Sequence, residues 1–315
     1  MTPPNEPNDA GEVDDAGEVD EAAPNEEAAP NDAGEVDEAA PDDEAAADAE
    51  DGPETDTELA ARVAWLAGRL LRTIRRADGA FDDPAALGNL GDREANELIL
   101  AELAVARPAD AVLSEESADD LARLGADRVW IVDPLDGTRQ YKTEGRSDWA
   151  VHIALWERSE NGGSGGRVTS AAVAMPELGS VFTTDVALEG EAFDPEGLVR
   201  LQPIVLVSDS RPPDVTDVVA SIGGVVSHMG SAGAKILAVV RGDADAYIHA
   251  GGQYEWDSAA PVAIALAHGF HASRLDGSPL IYNQRNTLLP DLVVCRPDLA
   301  EPLLRALCVP LRIEN

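Results

Sequence analysis

Asp133-Pro134-Leu135-Asp136-Gly137-Thr138 places two carboxylates three residues apart, directly after the apolar run Val129-Trp130-Ile131-Val132. A short apolar run closed by Pro and Gly reads as a buried strand ending in a turn. Two acids gathered at a strand end disfavour each other's charge unless something positive lies between them. Oxygen ligands from a few carboxylates suit Mg²⁺, which keeps waters and holds substrate phosphates. Asp-Pro and Asp-Gly are also ordinary turn dipeptides, but a bland turn does not need both acids.

Two further stretches share this chemistry. Ser114-Glu115-Glu116-Ser117 follows the apolar Ala111-Val112-Leu113, a second strand-to-loop junction with paired acids. Trp256-Asp257-Ser258-Ala259-Ala260 opens the apolar segment 261–267, which reads as a helix. Asp257 reads first as the N-cap of that helix. A capping carboxylate can still face a cation, so the two roles coexist.

The acid pair, then Asp-Pro-Leu-Asp-Gly-Thr, then Trp-Asp-x-x-Ala, in this order, resembles the Mg²⁺-dependent, lithium-sensitive phosphatases. That superfamily includes inositol monophosphatase, fructose-1,6-bisphosphatase and the 3′(2′),5′-bisphosphate nucleotidases. Within it the chain looks most like the CysQ-type 3′-phosphoadenosine-5′-phosphate phosphatases, through residues 148–155, 230–235, 249–257 and 275–283. The resemblance runs from about residue 57 to about residue 308 and implies a layered α/β/α/β/α sandwich. The element pattern alone gives only a mixed α/β chain.

The same resemblance implies roles. Glu115, Asp133 and the Leu135 carbonyl would hold one Mg²⁺. Asp133, Asp136 and Asp257 would hold a second, with Asp133 shared, and a third, weaker ion would sit on Glu115. Inhibition by Li⁺ is implied too. Thr138 would pair with Asp92 to orient the attacking water, and Glu116 would orient water or ligand beside them. If Thr138 begins a helix, the Gly137 and Thr138 amides face the substrate phosphate. Ser231, Ala232, Lys235 and Asp257 would contact the rest of the substrate. The implied reaction removes the 3′-phosphate of 3′-phosphoadenosine 5′-phosphate, or of its sulfated form, in sulfur assimilation. An inositol phosphate or a fructose bisphosphate is the alternative substrate for the same metals.

Several of these residues have a plainer reading. Asp92 also suits a cap for a helix over 93–106. Lys235 either meets a second phosphate or is a solvated lysine on a helix packed by small residues. Tyr247, Tyr254 and Tyr282 are adenine-stacking candidates or core aromatics. His228 and His249 read as structural, since the five His lack metal-ligand spacing. The chain also departs from the family. Gly88-Asn89-Leu90-Gly91 is short and uncharged where a Thr or Ser, and often a Lys, is usual. Gln140 stands where the nucleotidases commonly have Glu.

Composition sets the outer limits. The 315 residues carry 60 Asp and Glu against 23 Lys and Arg, a net charge of −37. Residues 1–56 hold 22 of the acids and no base, with Asp-Ala-Gly-Glu-Val-Asp at 9–14, 15–20 and 32–37. Such a segment cannot bury enough apolar area to offset its chain entropy, and it reads as a disordered tail with a partner of unknown kind. A non-enzymatic interaction protein working through this tail is the rival reading. The predicted phosphatase domain, 57–315, keeps 38 acids against 23 bases. It divides into 57–190, with the metal motifs, and a second α/β half, 191–315. This acidity argues against nucleic-acid and anionic-membrane binding. With no apolar stretch of about 18 residues and an acidic start, the expected compartment is the cytoplasm. Cys295 and Cys308 read as buried free thiols. A homodimer is compatible with the resemblance.

Periodicity predicts a helix over 57–76 capped by Asp56 or Thr57, a loop from Asp78 to Leu90 and a helix from Asp92 to Ala106. Strands are predicted at 111–113, 129–132, 149–156, 168–174 and 180–184, with a glycine-rich hairpin loop at Asn161–Gly166. The second half alternates strand 204–207, helix 213–221, strand 224–227, helix 233–241 and strand 245–248. Helix 257–267, strands at 270–274 and 292–295, and helix 298–307 follow.

Overall fold

The computed structural model describes residues 53–159, 165–185 and 200–307. The tail repeats, most of the Asn161–Gly166 loop and Cys308 lie outside the described residues. Contacts divide the chain into Met1–Glu50 and Asp51–Asn315, and every described element belongs to the second unit.

The described residues fold around two five-stranded sheets. The first contains β1 (Ala111–Ser114), β2 (Arg128–Asp136), β3 (Ala150–Arg158), β4 (Gly166–Met175) and β5 (Ser180–Thr183), in that spatial order. β1 and β2 are parallel, and the other pairs are antiparallel. The second contains β6 (Ile204–Ser208), β7 (Val225–Met229), β8 (Ala246–Tyr254), β9 (His271–Ser273) and β10 (Leu288–Cys295), in the order β7-β6-β8-β10-β9.

Among the described residues, seven α-helices complete five layers. α1 (Asp56–Arg75) and α2 (Pro84–Ala106) cover one face of the first sheet. α5 (Ala232–Val240) and α6 (Glu255–Ala267) fill the space between the sheets. α4 (Thr216–Ser221) and α7 (Pro297–Leu307) cover the outer face of the second sheet. The short α3 (Thr138–Tyr141) follows β2. The layering appears in side-chain alternation along β2. Trp130 and Val132 join the core under α1 and α2, whereas Val129 and Ile131 join the core shared with α5 and α6. A strand buried on both faces reads as a continuous apolar run, which is why Val129–Val132 was legible.

Three boundaries differ from the sequence expectation. The cap of α1 is Thr55, in a capping box with Glu58, so neither Asp56 nor Thr57 serves. Asp56, placed by composition in the tail, lies in α1 and ion-pairs with Arg107 at 2.7 Å and Arg128 at 2.9 Å. α2 starts at Pro84, inside the predicted loop, because Asp83 caps it and Pro suits the first turn. Asp92 therefore lies inside a helix rather than at its cap.

Candidate metal centre

The site begins with an irregularity in β2. Asp133 pairs with His152 and Asp136 with Ala150, so three residues of β2 span two of β3. Side chains three apart on a regular strand point to opposite faces. The extra residue re-aims the strand, as bulges do beside functional sites. Both carboxylates then meet Asp257 from α6. One ligand oxygen from each of Asp133, Asp136 and Asp257 lies within 4.8 Å of the others.

Asp257 is not the N-cap that the sequence suggested. It is the third residue of α6, and its carboxylate accepts the Tyr254 N–H at 2.5 Å. Glu115 follows β1, with its N–H donating to the Val132 carbonyl at 3.2 Å. Its carboxyl shares a hydrogen bond with Asp133. Asn96 of α2 braces this junction, accepting from Ser114 Oγ at 2.7 Å and donating to Ser117 Oγ at 3.2 Å.

The electrostatics describe a site short of positive charge. Burial first, then Glu115, Asp136 and Asp257, hold Asp133 well above the usual carboxylate range. Burial first, then Asp136, push Asp257 up to about 6. Burial first, then Asp257, push Glu115 to about 7. Glu115 stands on the exposed rim of the cluster, so solvent screening makes its shift the least weighty. Among the described residues, no Lys or Arg pairs with Asp133, Asp257 or Glu115. Buried oxygen donors with a surplus of negative charge fit hard divalent cations.

Asp136 differs, because this chain already stabilises its charge. Its carboxylate accepts from Ser231 Oγ and from the Ala232 and Gly233 amides, at 3.1 and 2.7 Å, at the start of α5. Burial opposes its ionisation, but His152, Ser231 and Lys235 prevail and draw it down to about 2. Ser231 has φ 50°, a strained backbone for a non-glycine residue. The strain turns its hydroxyl onto Asp136. Sequence reasoning missed His152 and Asn96, because lone residues within strands and helices carry no spacing signal.

The other predicted residues lie around this cluster. Gly137, at φ 87°, precedes Thr138, which does begin a helix. Thr138 Oγ1 is bonded to Asp92 Oδ1 at 3.3 Å and donates to the Leu135 carbonyl at 3.2 Å. Burial, then Glu116, raise Asp92 to about 6. Glu116 is exposed, with its N–H on Ser114 Oγ at 3.4 Å.

Lys235 is 3% exposed, which corrects the solvated reading. Its Nζ donates to the carbonyls of Met229, Gly230 and Ser231. Burial lowers it to about 8. Tyr247 and Tyr282 are buried, whereas Tyr254 is 47% exposed and stacks on Trp256 at 4.8 Å. His228 is exposed, and His249 bonds the Gly252 carbonyl at 3.1 Å. Cys295 is a buried free thiol, as read.

The inositol monophosphatase family model matches residues 53–308. The chain belongs to this family. A 3′-phosphoadenosine 5′-phosphate phosphatase of Mycobacterium leprae (strain TN) is 54% identical over 254 residues, covering 79% of this chain and 92% of the relative. A protein of the same description from Mycobacterium bovis is 55% identical over 243 residues, covering 76% and 89%. Among solved structures, CysQ from Bacteroides thetaiotaomicron, described as a bacterial member of the family, shares 26% identity at a TM-score of 0.62. That match covers 77% of this chain and 97% of CysQ. The SuhB protein of Bartonella henselae, at 22% identity and TM-score 0.63, shares the fold, with 81% and 100% covered. The five layers are those the sequence resemblance implied. Among the described residues, no helix is long and apolar enough to cross a membrane.

Proposed function

We propose that this chain is a divalent-metal-dependent phosphomonoesterase that removes the 3′-phosphate of 3′-phosphoadenosine 5′-phosphate. The observation that carries the reading is the convergence of Asp133, Asp136 and Asp257 within 4.8 Å, with no Lys or Arg ion-paired to Asp133 or Asp257 among the described residues, in a chain 54% identical to a phosphatase of that substrate. Mg²⁺ is the cation we assign, in two or three sites, with Li⁺ as inhibitor. Asp133, Asp136, Asp257, Glu115 and the Leu135 carbonyl would hold the cations. When bound, they supply Lewis acidity toward the phosphoryl oxygens and lower the pKa of water.

The chain's own residues do the rest. Thr138 Oγ1, bridging Asp92 and Leu135 O, positions a water for attack, and Asp92 at about 6 accepts its proton near neutral pH. Glu116 lies on the same side and orients that water. The Gly137 and Thr138 amides at the start of α3 offer donors to the phosphoryl oxygens. We assign the nucleotide remainder to the start of α5, with Ser231, Ala232 and Lys235, and to Tyr254. Cytoplasmic location fits a soluble phosphonucleotide substrate.

Phosphate release with Mg²⁺ from 3′-phosphoadenosine 5′-phosphate, inositol 1-phosphate and fructose 1,6-bisphosphate, side by side, tests the reading. The expected result favours the nucleotide by about tenfold or more, roughly 1.4 kcal/mol at the transition state. A sugar-phosphate preference would discard the nucleotide assignment and keep the metal centre.

A further inference from the structure

Gln140 of α3 is 5% exposed and joins the two halves of the molecule. Its Nε2 donates to Asp209, at 3.2 Å from Oδ2 and 3.4 Å from Oδ1. Arg146 donates to the same Oδ2 at 2.9 Å and to both oxygens of Asp148. Asp148 in turn accepts the Gly230 N–H at 2.7 Å. The backbone of Gly230 then packs on Gln140, for a Cβ there would lie 2.2 Å from the side-chain amide. The contacts close into a ring: Gln140, Asp209, Arg146, Asp148, Gly230 and back to Gln140. The residues after Gly230, namely Ser231, Ala232 and Gly233, are those that hold Asp136.

We propose that the Gln140–Asp209 hydrogen bond is a positioning clamp that sets residues 230–233, where the chain enters α5, under Asp136, and that this chain needs an amide donor at position 140. The proposal rests on the reading of Asp136 as a cation ligand. Gln140 is a positioning residue, since it touches neither the cluster nor its ligand.

The charge balance of the ring explains the amide. It holds two carboxylates, Asp148 and Asp209, and one guanidinium, Arg146. Arg139, which is exposed, and Lys235, whose ammonium is bound to the carbonyls of Gly230 and Ser231, also act on Asp209. A neutral donor completes Asp209 without adding charge. A carboxylate at position 140 would face Asp209 with no proton between them, and the pair would have to take one up. Exchanging both partners, Gln140→Glu with Asp209→Asn, conserves the ring charge and reverses the bond, with the new amide on the β6 side.

The test uses the full chain as wild type, Gln140→Glu and the double exchange. Two quantities are read: phosphate release from 3′-phosphoadenosine 5′-phosphate, and the Mg²⁺-induced rise in Tm without substrate. Gln140→Glu should lose about tenfold in kcat near pH 8.5, regain part of it near pH 6, and show a smaller Mg²⁺-induced rise. The double exchange should return both readouts to within about threefold of wild type and abolish the new pH dependence. A Gln140→Glu chain that does not fold, beside a double exchange that folds and works, supports the same conclusion.

Wild-type pH profile and Mg²⁺ response in Gln140→Glu would overturn the clamp. So would a double exchange no better than the single one. If wild type responds to Mg²⁺ but hydrolyses no nucleotide, the substrate reading fails, and the clamp is decided on the Mg²⁺ response alone.

Discussion

His152 Nε2 stands 3.3 Å from the Asp136 carboxylate, while its Nδ1 lies 3.1 Å from the Trp256 carbonyl. The Asp136 contact is an ion-pair approach without hydrogen-bond alignment. A protonated ring satisfies both neighbours at once, and it joins β2 to the residue just before Asp257. Burial opposes that charge, but Asp136 and the Trp256 carbonyl raise His152 above its ordinary 6.5. Its contribution to stability is full below 6.5 and is lost as pH climbs through the raised value. The Asp136 share, with that group held at about 2, is present above 3.8 and is lost as pH falls toward 2. His152→Leu leaves a buried charge less compensated and should cost about 3 kcal/mol in urea unfolding at neutral pH. An unchanged unfolding midpoint would remove His152 from the support of Asp136.

Without metal, the acid cluster should make the fold dislike alkali. Asp133 lies well above its ordinary 3.8, and Asp257 is raised to about 6. Between 3.8 and about 6 the folded chain keeps protons that the unfolded chain has released. Stability therefore falls as pH rises through that window. In EDTA, Tm should drop from about pH 4 to about pH 6, and saturating Mg²⁺ should cancel the drop by binding only the folded state. A metal-free Tm that rises across the window would contradict the crowding of these acids.

Asp133→Asn separates stability from function at one atom. Asp133 is 1% exposed and accepts the Leu135 N–H at 3.0 Å. An amide oxygen preserves that bond while removing the repulsion from Glu115, Asp136 and Asp257. The metal-free variant should unfold later than wild type, by about 1–2 kcal/mol. Its phosphatase activity should fall by about a thousandfold, since on the proposed reading Asp133 is the shared cation ligand. Wild-type turnover in this variant would discard the metal assignment.

The elements were legible because buried strands and amphipathic helices write their environment into the chain; their layering came from the family resemblance, since the pattern alone gave only a mixed α/β chain. The acid motifs marked three segments whose carboxylates act on one another, after β1, at the end of β2 and in the first turn of α6. The bulge that turns Asp133 and Asp136 the same way was not legible, since nothing in Asp-Pro-Leu-Asp gives the count of residues opposite on β3. The early start of α2 was hidden by Gly88 and Gly91, which look like loop residues but pack under Tyr141 and beside Thr138. For Lys235 the sequence left a phosphate contact or a solvated ammonium, because its partners are backbone carbonyls, which leave no mark in sequence.

Tyr254 offers the sharpest test of base recognition. Of the three tyrosines considered, Tyr247 and Tyr282 are closed off in the core, and Tyr254 is 47% exposed. Its ring is nearly parallel to that of Trp256, at 10°, and its backbone N–H anchors Asp257. An exposed aromatic face extending a stack is a platform for a further flat ring, and base stacking contributes about 1–3 kcal/mol. Tyr254→Ala keeps the backbone bond to Asp257, so kcat should change little. KM for 3′-phosphoadenosine 5′-phosphate should rise about tenfold or more, while KM for inositol 1-phosphate stays the same. Equal KM increases on both substrates would mean that the ring supports the loop rather than the base, and unchanged KM on both would place the base elsewhere.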